Sequence, residues 1–354
     1  MNCIENDMIH VSGLCDPNGF DLASPNNSWT EISVPETLTI PEQKPDIEQI
    51  NSVNASVEIF RKKVIVTPNS DGENEEGKIL TGRKLIIEGN LCQAIEYTAL
   101  EEKQSVHTAH FKIPFSAFIV LKDLYDFSTV TDIDPLDLDF DVKACVEDVF
   151  IQGFNTRQIF KNVTLFLQAV PRVIPECEDE DCECEEDQIL TKGVCSVDKL
   201  VGMLGTDEDT WTEIFIPEFL NVPCQKPEIE QLLSVSSRVM LLSQKVVKTP
   251  GAFDSTGVPV DNKEGTKLTN RKLIIEGILR QKVIYTADVP EQSVHSTHFD
   301  VPFSAFIVLP KDTLLSSKFK IEPCIEDIFA CKLDKKLIFK NITLFIKATQ
   351  ITCV

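Results

Sequence analysis

Between residues 85 and 97 apolar and polar side chains alternate along the chain. Leu85, Ile87, Leu91, Ile95 and Tyr97 share one parity, and Glu88, Asn90 and Glu96 share the other. Successive side chains of a strand point to opposite faces, so this pattern predicts a β-strand with one dry and one wet face. The same apolar set returns at Leu273, Ile275, Leu279, Val283 and Tyr285. Cys92 falls on the wet parity, with Arg280 in the matching place, and is expected to be exposed. Phe115 to Leu121 is apolar at nearly every position, which predicts a strand covered on both faces.

The recurrence extends over half the chain. Residues 83–121 and 271–309 share RKLIIEG, QSVH and PFSAFIVL, at an offset of 188 positions. Upstream, Trp29-Thr-Glu-Ile matches Trp211-Thr-Glu-Ile at an offset of 182; downstream, Cys145-Val-Glu-Asp matches Cys324-Ile-Glu-Asp at 179. One loop has therefore gained six residues in the second copy and another has lost nine, changes that surface loops absorb at little cost. Each copy is preceded by a segment with a cysteine pair, Cys3 and Cys15 or Cys184 and Cys195. The pattern divides the chain into an arm (1–28), a β domain (29–175), an acidic linker and second arm (176–210) and a second β domain (211–354).

Within each copy the pattern predicts short β segments from Trp29, a single helical turn over Lys44–Ile50, a strand from Ser56 closed near Pro68, and a solvated connection over 69–77. A last strand, Phe160 to Leu167 or Phe339 to Ile346, closes the copy. About six strands separated by turn residues, with one short helix and no βαβ alternation, predict two all-β, antiparallel sandwich-like domains, each preceded by an extended arm.

Charge and cysteine content narrow the function. The net charge of -22 repels nucleic acid and anionic membranes and favours cations or basic partners. Nine of the twelve residues of 176–187 are Asp or Glu and the other three are Cys177, Cys182 and Cys184, a run that reads as a solvated linker without the spacing of a calcium loop. The first residues lack a basic and apolar leader and no later apolar run is long enough to span a membrane, so synthesis in a cytosol is expected. Twelve cysteines without a Cys-x-x-Cys fit neither a zinc ribbon nor a thioredoxin-like site.

No Gly-rich phosphate loop, His-Glu-x-x-His or Gly-x-Ser-x-Gly is present, and no enzyme, cofactor or metal site is expected. His107-x-x-His110 and His295-x-x-His298 put their histidines on opposite faces of a strand, where one ion cannot reach both. Asn162-Val-Thr and Asn341-Ile-Thr have the form of glycosylation acceptors but are read as strand residues.

Lys-Pro-Asp/Glu-Ile-Glu-Gln at 44–49 and 226–231, Leu-Ile-Ile-Glu-Gly, Tyr-Thr-Ala, Gln-Ser-Val-His and Pro-Phe-Ser-Ala-Phe-Ile together resemble the SPOCS domain family of endospore-forming Firmicutes. SipL, a spore coat and exosporium morphogenesis protein, carries such a domain. The tandem copies and many cysteines are also similar to cysteine-rich exosporium proteins such as CsxA. The resemblance implies synthesis in the mother cell, deposition on the spore surface, and a structural, self-assembling role in a lattice or filament. The chain itself and other coat or exosporium proteins are its implied partners. A second implied role is that of a non-enzymatic adaptor that anchors another coat protein.

In that setting a chain made reduced can form disulfides later. The cysteines leave two arrangements open. Cys3 with Cys15, and Cys184 with Cys195, would staple each arm to itself. Alternatively Cys177 or Cys353, which follow the last strands, would meet an arm, Cys353 that of the next molecule, giving head-to-tail polymers. Cys145 and Cys324 recur at one site of each copy and are expected to be buried or bonded within the chain. Cys92, Cys224 and Cys331 have no repeat partner and are candidates for intermolecular bonds.

Overall fold

The computed structural model describes residues 9–127, 131–173, 189–205 and 209–351. The chain forms two compact units: residues 1–64 with 84–175, and residues 65–83 with 176–354. Residues 65–83 lie inside the first repeat in sequence yet pack with the second.

The first repeat contributes β1 (His10–Ser12), β2 (Ser28–Thr39), β3 (Ile47–Asn69), β4 (Thr81–Ala99), β5 (Val106–Val120), β6 (Leu138–Gly153) and β7 (Gln158–Val173). They form a four-stranded sheet in the order β1-β3-β4-β5 and a three-stranded sheet in the order β2-β7-β6. The second repeat contributes β8 (Leu190–Lys192), β9 (Trp211–Asn221), β10 (Ile229–Gly251), β11 (Thr269–Ala287), β12 (Val294–Val308), β13 (Lys318–Lys332) and β14 (Leu337–Ile351). Its sheets repeat the plan, as β8-β10-β11-β12 and β9-β14-β13. The arm strands β1 and β8 run parallel to β3 and β10; β4–β5, β10–β11 and the pairs of the three-stranded sheets run antiparallel.

The alternation read from the sequence sets the core. Leu85, Ile87, Leu91, Ile95 and Tyr97 of β4 are buried in one cluster with Leu38 of β2, Val149 and Ile151 of β6, and Val163, Leu165 and Leu167 of β7. Leu273, Ile275, Leu279, Val283 and Tyr285 do the same against Ile328, Ile342, Leu344 and Ile346. Each repeat is thus a sandwich of two sheets whose inner faces share one apolar layer. The all-β, tandem architecture is the expected one.

Three local expectations are corrected. Lys44–Ile50 is a turn running into a strand, with Ile47 already the first residue of β3. The Arg157 guanidinium donates to the Lys44 carbonyl (2.7 Å), Asp46 Oδ1 (3.0 Å) and the Ile40 and Pro41 carbonyls (both 2.8 Å), fixing an open turn that a helix could not present. The Phe115–Leu121 run is not covered on both faces: β5 ends its sheet, and Ser116, Phe118 and Val120 are half-buried between buried neighbours. A lysine covers the outer phenylalanine in both copies, with the Lys84 and Lys272 ammoniums 4.7 and 3.8 Å from the Phe118 and Phe306 ring centres. That cation–π contact lets an apolar residue sit on a nominally wet face. Glu88, on the face expected to be wet, is fully buried, with Ser116 Oγ donating to its carboxylate and Arg61 beside it.

Each core also contains an ion pair. Lys161 of β7 lies opposite Glu36 of β2, 3.0 Å away, and Lys340 of β14 lies 3.2 Å from Glu218 of β9. Gln93 and Gln281, from the other sheet, donate to the same carboxylates at 3.2 and 3.0 Å. Burial pushes both ammoniums below the ordinary lysine range, Lys340 to about 8, and the carboxylates oppose the shift. The trio links the two sheets of each sandwich.

Candidate functional site

The sequence placed function in the cysteines, and the described ones fall into two groups. Cys15 is bonded to Cys145 and Cys195 to Cys324, with Cα atoms 5.3 and 5.8 Å apart. The arrangements left open, a bond within each arm, or Cys353 of a neighbouring molecule meeting the arm of Cys15 and Cys177 of the same chain meeting the arm of Cys195, are corrected for Cys15 and Cys195: each is bonded to the body that follows its arm. Cys145 and Cys324 are buried, at 4% and 1% exposure. Backbone geometry selects the partner. The Cys15 amide donates to the Val146 carbonyl (3.1 Å) and the Cys195 amide to the Ile325 carbonyl (2.8 Å), which holds each thiol against the three-stranded sheet.

Two residues earlier, Gly13 and Gly193 have φ of +87° and +102°. A Cβ there would lie 1.9 Å from the Ala55 or Ser237 carbonyl oxygen, so only glycine lets the arm cross so close to the body. Each arm is therefore tied to one sheet by a parallel strand and to the other by a disulfide.

The second group differs between the copies. Cys92 is half-buried rather than exposed as expected, and its Sγ lies 3.8 Å from Glu58 Oε2. Cys224 is exposed in the turn between β9 and β10. Cys331 is half-buried on β13 opposite Phe339. Cys3, Cys177, Cys182, Cys184 and Cys353, with the acidic run, lie outside the described residues. The histidine pairs are divided by the strand as expected: the Nε2 atoms of His107 and His295 lie 2.7 and 3.0 Å from Ser105 and Ser293 hydroxyls, and their rings stack on Tyr97 and Tyr285.

A feature not anticipated from the sequence is a covered face in the second unit. The end of the β3–β4 hairpin, residues 65–83, lies over Trp211, which is 1% exposed. Asn74 Nδ2 donates to the Trp211 carbonyl (3.0 Å), and the Glu75 amide donates to the Asp209 carbonyl (3.1 Å). The Thr67 hydroxyl donates to two carboxylates, Glu213 (3.2 Å) and Glu326. Glu326 adjoins a register shift between Ile325 and Asp327, a bulge that turns its side chain out of the strand alternation. On the far side the Lys267 amide donates to the Glu76 carbonyl (2.9 Å), and Lys267 pairs with Glu73. Gly77, at φ +93°, packs so closely that a Cβ would lie 2.1 Å from the Gly265 oxygen.

Burial and the neighbouring Asp209 push the Glu75 carboxyl up to about 7. A carboxyl whose folded value is raised contributes stability at low pH that is lost as pH rises through that value. The hairpin should hold most tightly below about pH 5 and loosen through pH 7. Hydrogen exchange of the 70–80 amides, corrected for intrinsic base catalysis, should reveal this, and Glu75→Gln should remove the pH dependence. An unchanged profile in the variant would assign it elsewhere.

The model of the family described as SipL, SPOCS domain matches residues 46–152 and 228–333. The chain belongs to this family. Each SPOCS match takes in β3 to β6, or β10 to β13, and begins after β2 or β9. The arms, both tryptophans and the buried ion pairs lie outside the matched segments. Membership carries a spore-associated role. No curated protein and no solved structure matches the chain. Among the described residues no helix is long and apolar enough to cross a membrane.

Proposed function

We propose that this SPOCS protein is a non-enzymatic structural component of the endospore surface that assembles with copies of itself into an exosporium or coat layer, or an appendage, reinforced by disulfides. The observation that carries this reading is the doubled cystine. Cys15–Cys145 and Cys195–Cys324 close chain segments of 130 and 129 residues at the same place in each repeat. A cross-link spanning a whole domain strongly restricts the unfolded chain, which suits a part made to last outside a cell. The exposed thiol of Cys224 is available for a bond between molecules.

Purified protein, oxidised at high concentration and viewed by electron microscopy, should form repeating sheets or fibres. Non-reducing gels should resolve higher species that collapse to monomer on reduction. Dispersed single particles and monomer in both lanes would remove the reading. A second reading, an adaptor for another coat protein, draws on β5 and β12, which end their sheets and could accept an added strand. Such a protein would stay dispersed and bind one partner stoichiometrically.

A further inference from the structure

The two repeats are not equally covered. In the second, Trp211 is 1% exposed and its carbonyl accepts from Asn74 of the 65–83 hairpin; its counterpart in the first, Trp29, is 53% exposed, with its ring tilted against Phe166 (5.8 Å between ring centres). Around it the difference persists. Glu326 and Asp327 are buried, whereas Glu147 and Asp148, at the same bulge of β6, are exposed. Thr212 is buried, whereas Thr30 is half-buried. Glu31 and Glu147 stand where Glu213 and Glu326 receive the Thr67 hydroxyl, and burial together with the Glu31 charge raises the Glu147 carboxyl above its ordinary range.

The hairpins show the converse. Asn74, buried at 3%, corresponds to Asn262, which is exposed; Glu76 and Pro68 are buried, whereas Glu264 and Pro250 are exposed. The β10–β11 hairpin nevertheless has the same local form. Asn74 Oδ1 accepts from the Glu76 and Lys78 amides (3.0 and 2.9 Å), and Asn262 Oδ1 accepts from the Glu264 and Thr266 amides (2.8 and 2.9 Å). Thr67-Pro68 returns as Thr249-Pro250. The six residues gained in the second copy fold into a turn of their own, with the Asp254 amide donating to the Val258 carbonyl and Phe253 bridged to Pro259. One repeat therefore carries a preformed plug whose face is exposed, and the other an exposed socket.

We infer that the β10–β11 hairpin of one molecule docks on the Trp29 face of the next, with Thr249 between Glu31 and Glu147 and Asn262 at the Trp29 carbonyl. This rests on the self-assembly reading and specifies its contact. The partner is a second copy of this chain, because the occupant of the matching face in the second unit is the matching hairpin. Such a plug-and-socket contact is heterologous and propagates unless its rotation closes a ring. It differs from the internal one in charge: Lys263 replaces Glu75 and Asn27 replaces Asp209, so the like-charge pair is absent. Assembly should therefore be less sensitive to pH between 5 and 8 than hairpin packing within unit two.

Two full-length variants, both at exposed or half-exposed sites, separate plug from socket. Thr249→Glu sets a third carboxylate against Glu31 and Glu147, and Trp29→Arg removes the socket's apolar floor. Under reducing conditions, which exclude disulfide polymerisation between molecules, the wild type should sediment as long oligomers and its tryptophan emission should shift to the blue as Trp29 is covered. Each variant alone should remain monomeric with a native circular dichroism spectrum. Their mixture should give 1:1 dimers that grow no further, because the dimer exposes only the two disabled surfaces. Polymers formed by the wild type and by either variant alike would overturn this contact while leaving self-assembly standing. Variants that are monomeric alone and fail to dimerise when mixed would also overturn it. A wild type that stays monomeric under both reducing and oxidising conditions would overturn both.

Discussion

Lys340→Met should lower the stability of the second unit by about 3–5 kcal/mol, the usual cost of stranding one member of a buried ion pair. Lys340 is fully buried and Glu218 nearly so, and the Gln281 amide is the carboxylate's remaining donor among the contacts described above. Without the ammonium, Glu218 would have to take up a proton or draw water into the sandwich, and either route opposes folding. The double variant Lys340→Met/Glu218→Leu should recover most of the loss, because two apolar side chains of similar volume need no desolvation of charge. Urea unfolding followed by tryptophan emission in a Trp29→Phe background reports this, since Trp211, which then carries the whole signal, lies in the second unit. If single and double variants were equally destabilised, packing around the lysine stem would be the cause and the charge would not.

The second large effect is expected at the cystines. Cys195→Ala removes a cross-link closing 129 residues, and the chain-entropy argument puts the loss at about 5 kcal/mol. It should also release the arm. Protection of the Leu190–Lys192 amides, whose strand pairs with only three residues of β10, should fall towards that of an exposed chain. Cys224→Ala, at an exposed turn, should change stability by less than about 0.5 kcal/mol. Denaturant midpoints with and without reductant distinguish these cases. Equal midpoints for Cys195→Ala and the wild type under oxidising conditions would mean that the bond contributes nothing to the fold.

These expectations rest on features that were legible in the sequence to different degrees. The repeated alternation from Leu85 to Tyr97 located the strands, because a side-chain period of two has one structural meaning over that length. The buried pairs were less visible, though not silent. A lysine at the same place in both closing strands, on the parity of Val163 and Leu165 or of Ile342 and Leu344, and a glutamate after the proline in Pro35-Glu36 and Pro217-Glu218, were the available signal. Nothing local distinguishes such a lysine from one on the outer face, since its burial depends on a glutamate more than a hundred residues away. The edge position of β5 was likewise hidden, because an apolar run looks the same whether a second layer or a lysine stem covers it.

The amino-acid sequence by itself determined the tandem β architecture, the arm preceding each repeat and the family, because periodicity and repetition are properties of the order of residues. Only the tertiary structure decided that Cys15 and Cys195 bond to Cys145 and Cys324, and that residues 65–83 belong with the second repeat and cover Trp211 while Trp29 is exposed. The reason is that both are choices among partners distant along the chain. Twelve thiols admit many pairings and two copies of a hairpin admit either socket, and the choice is made by backbone geometry that brings distant residues together.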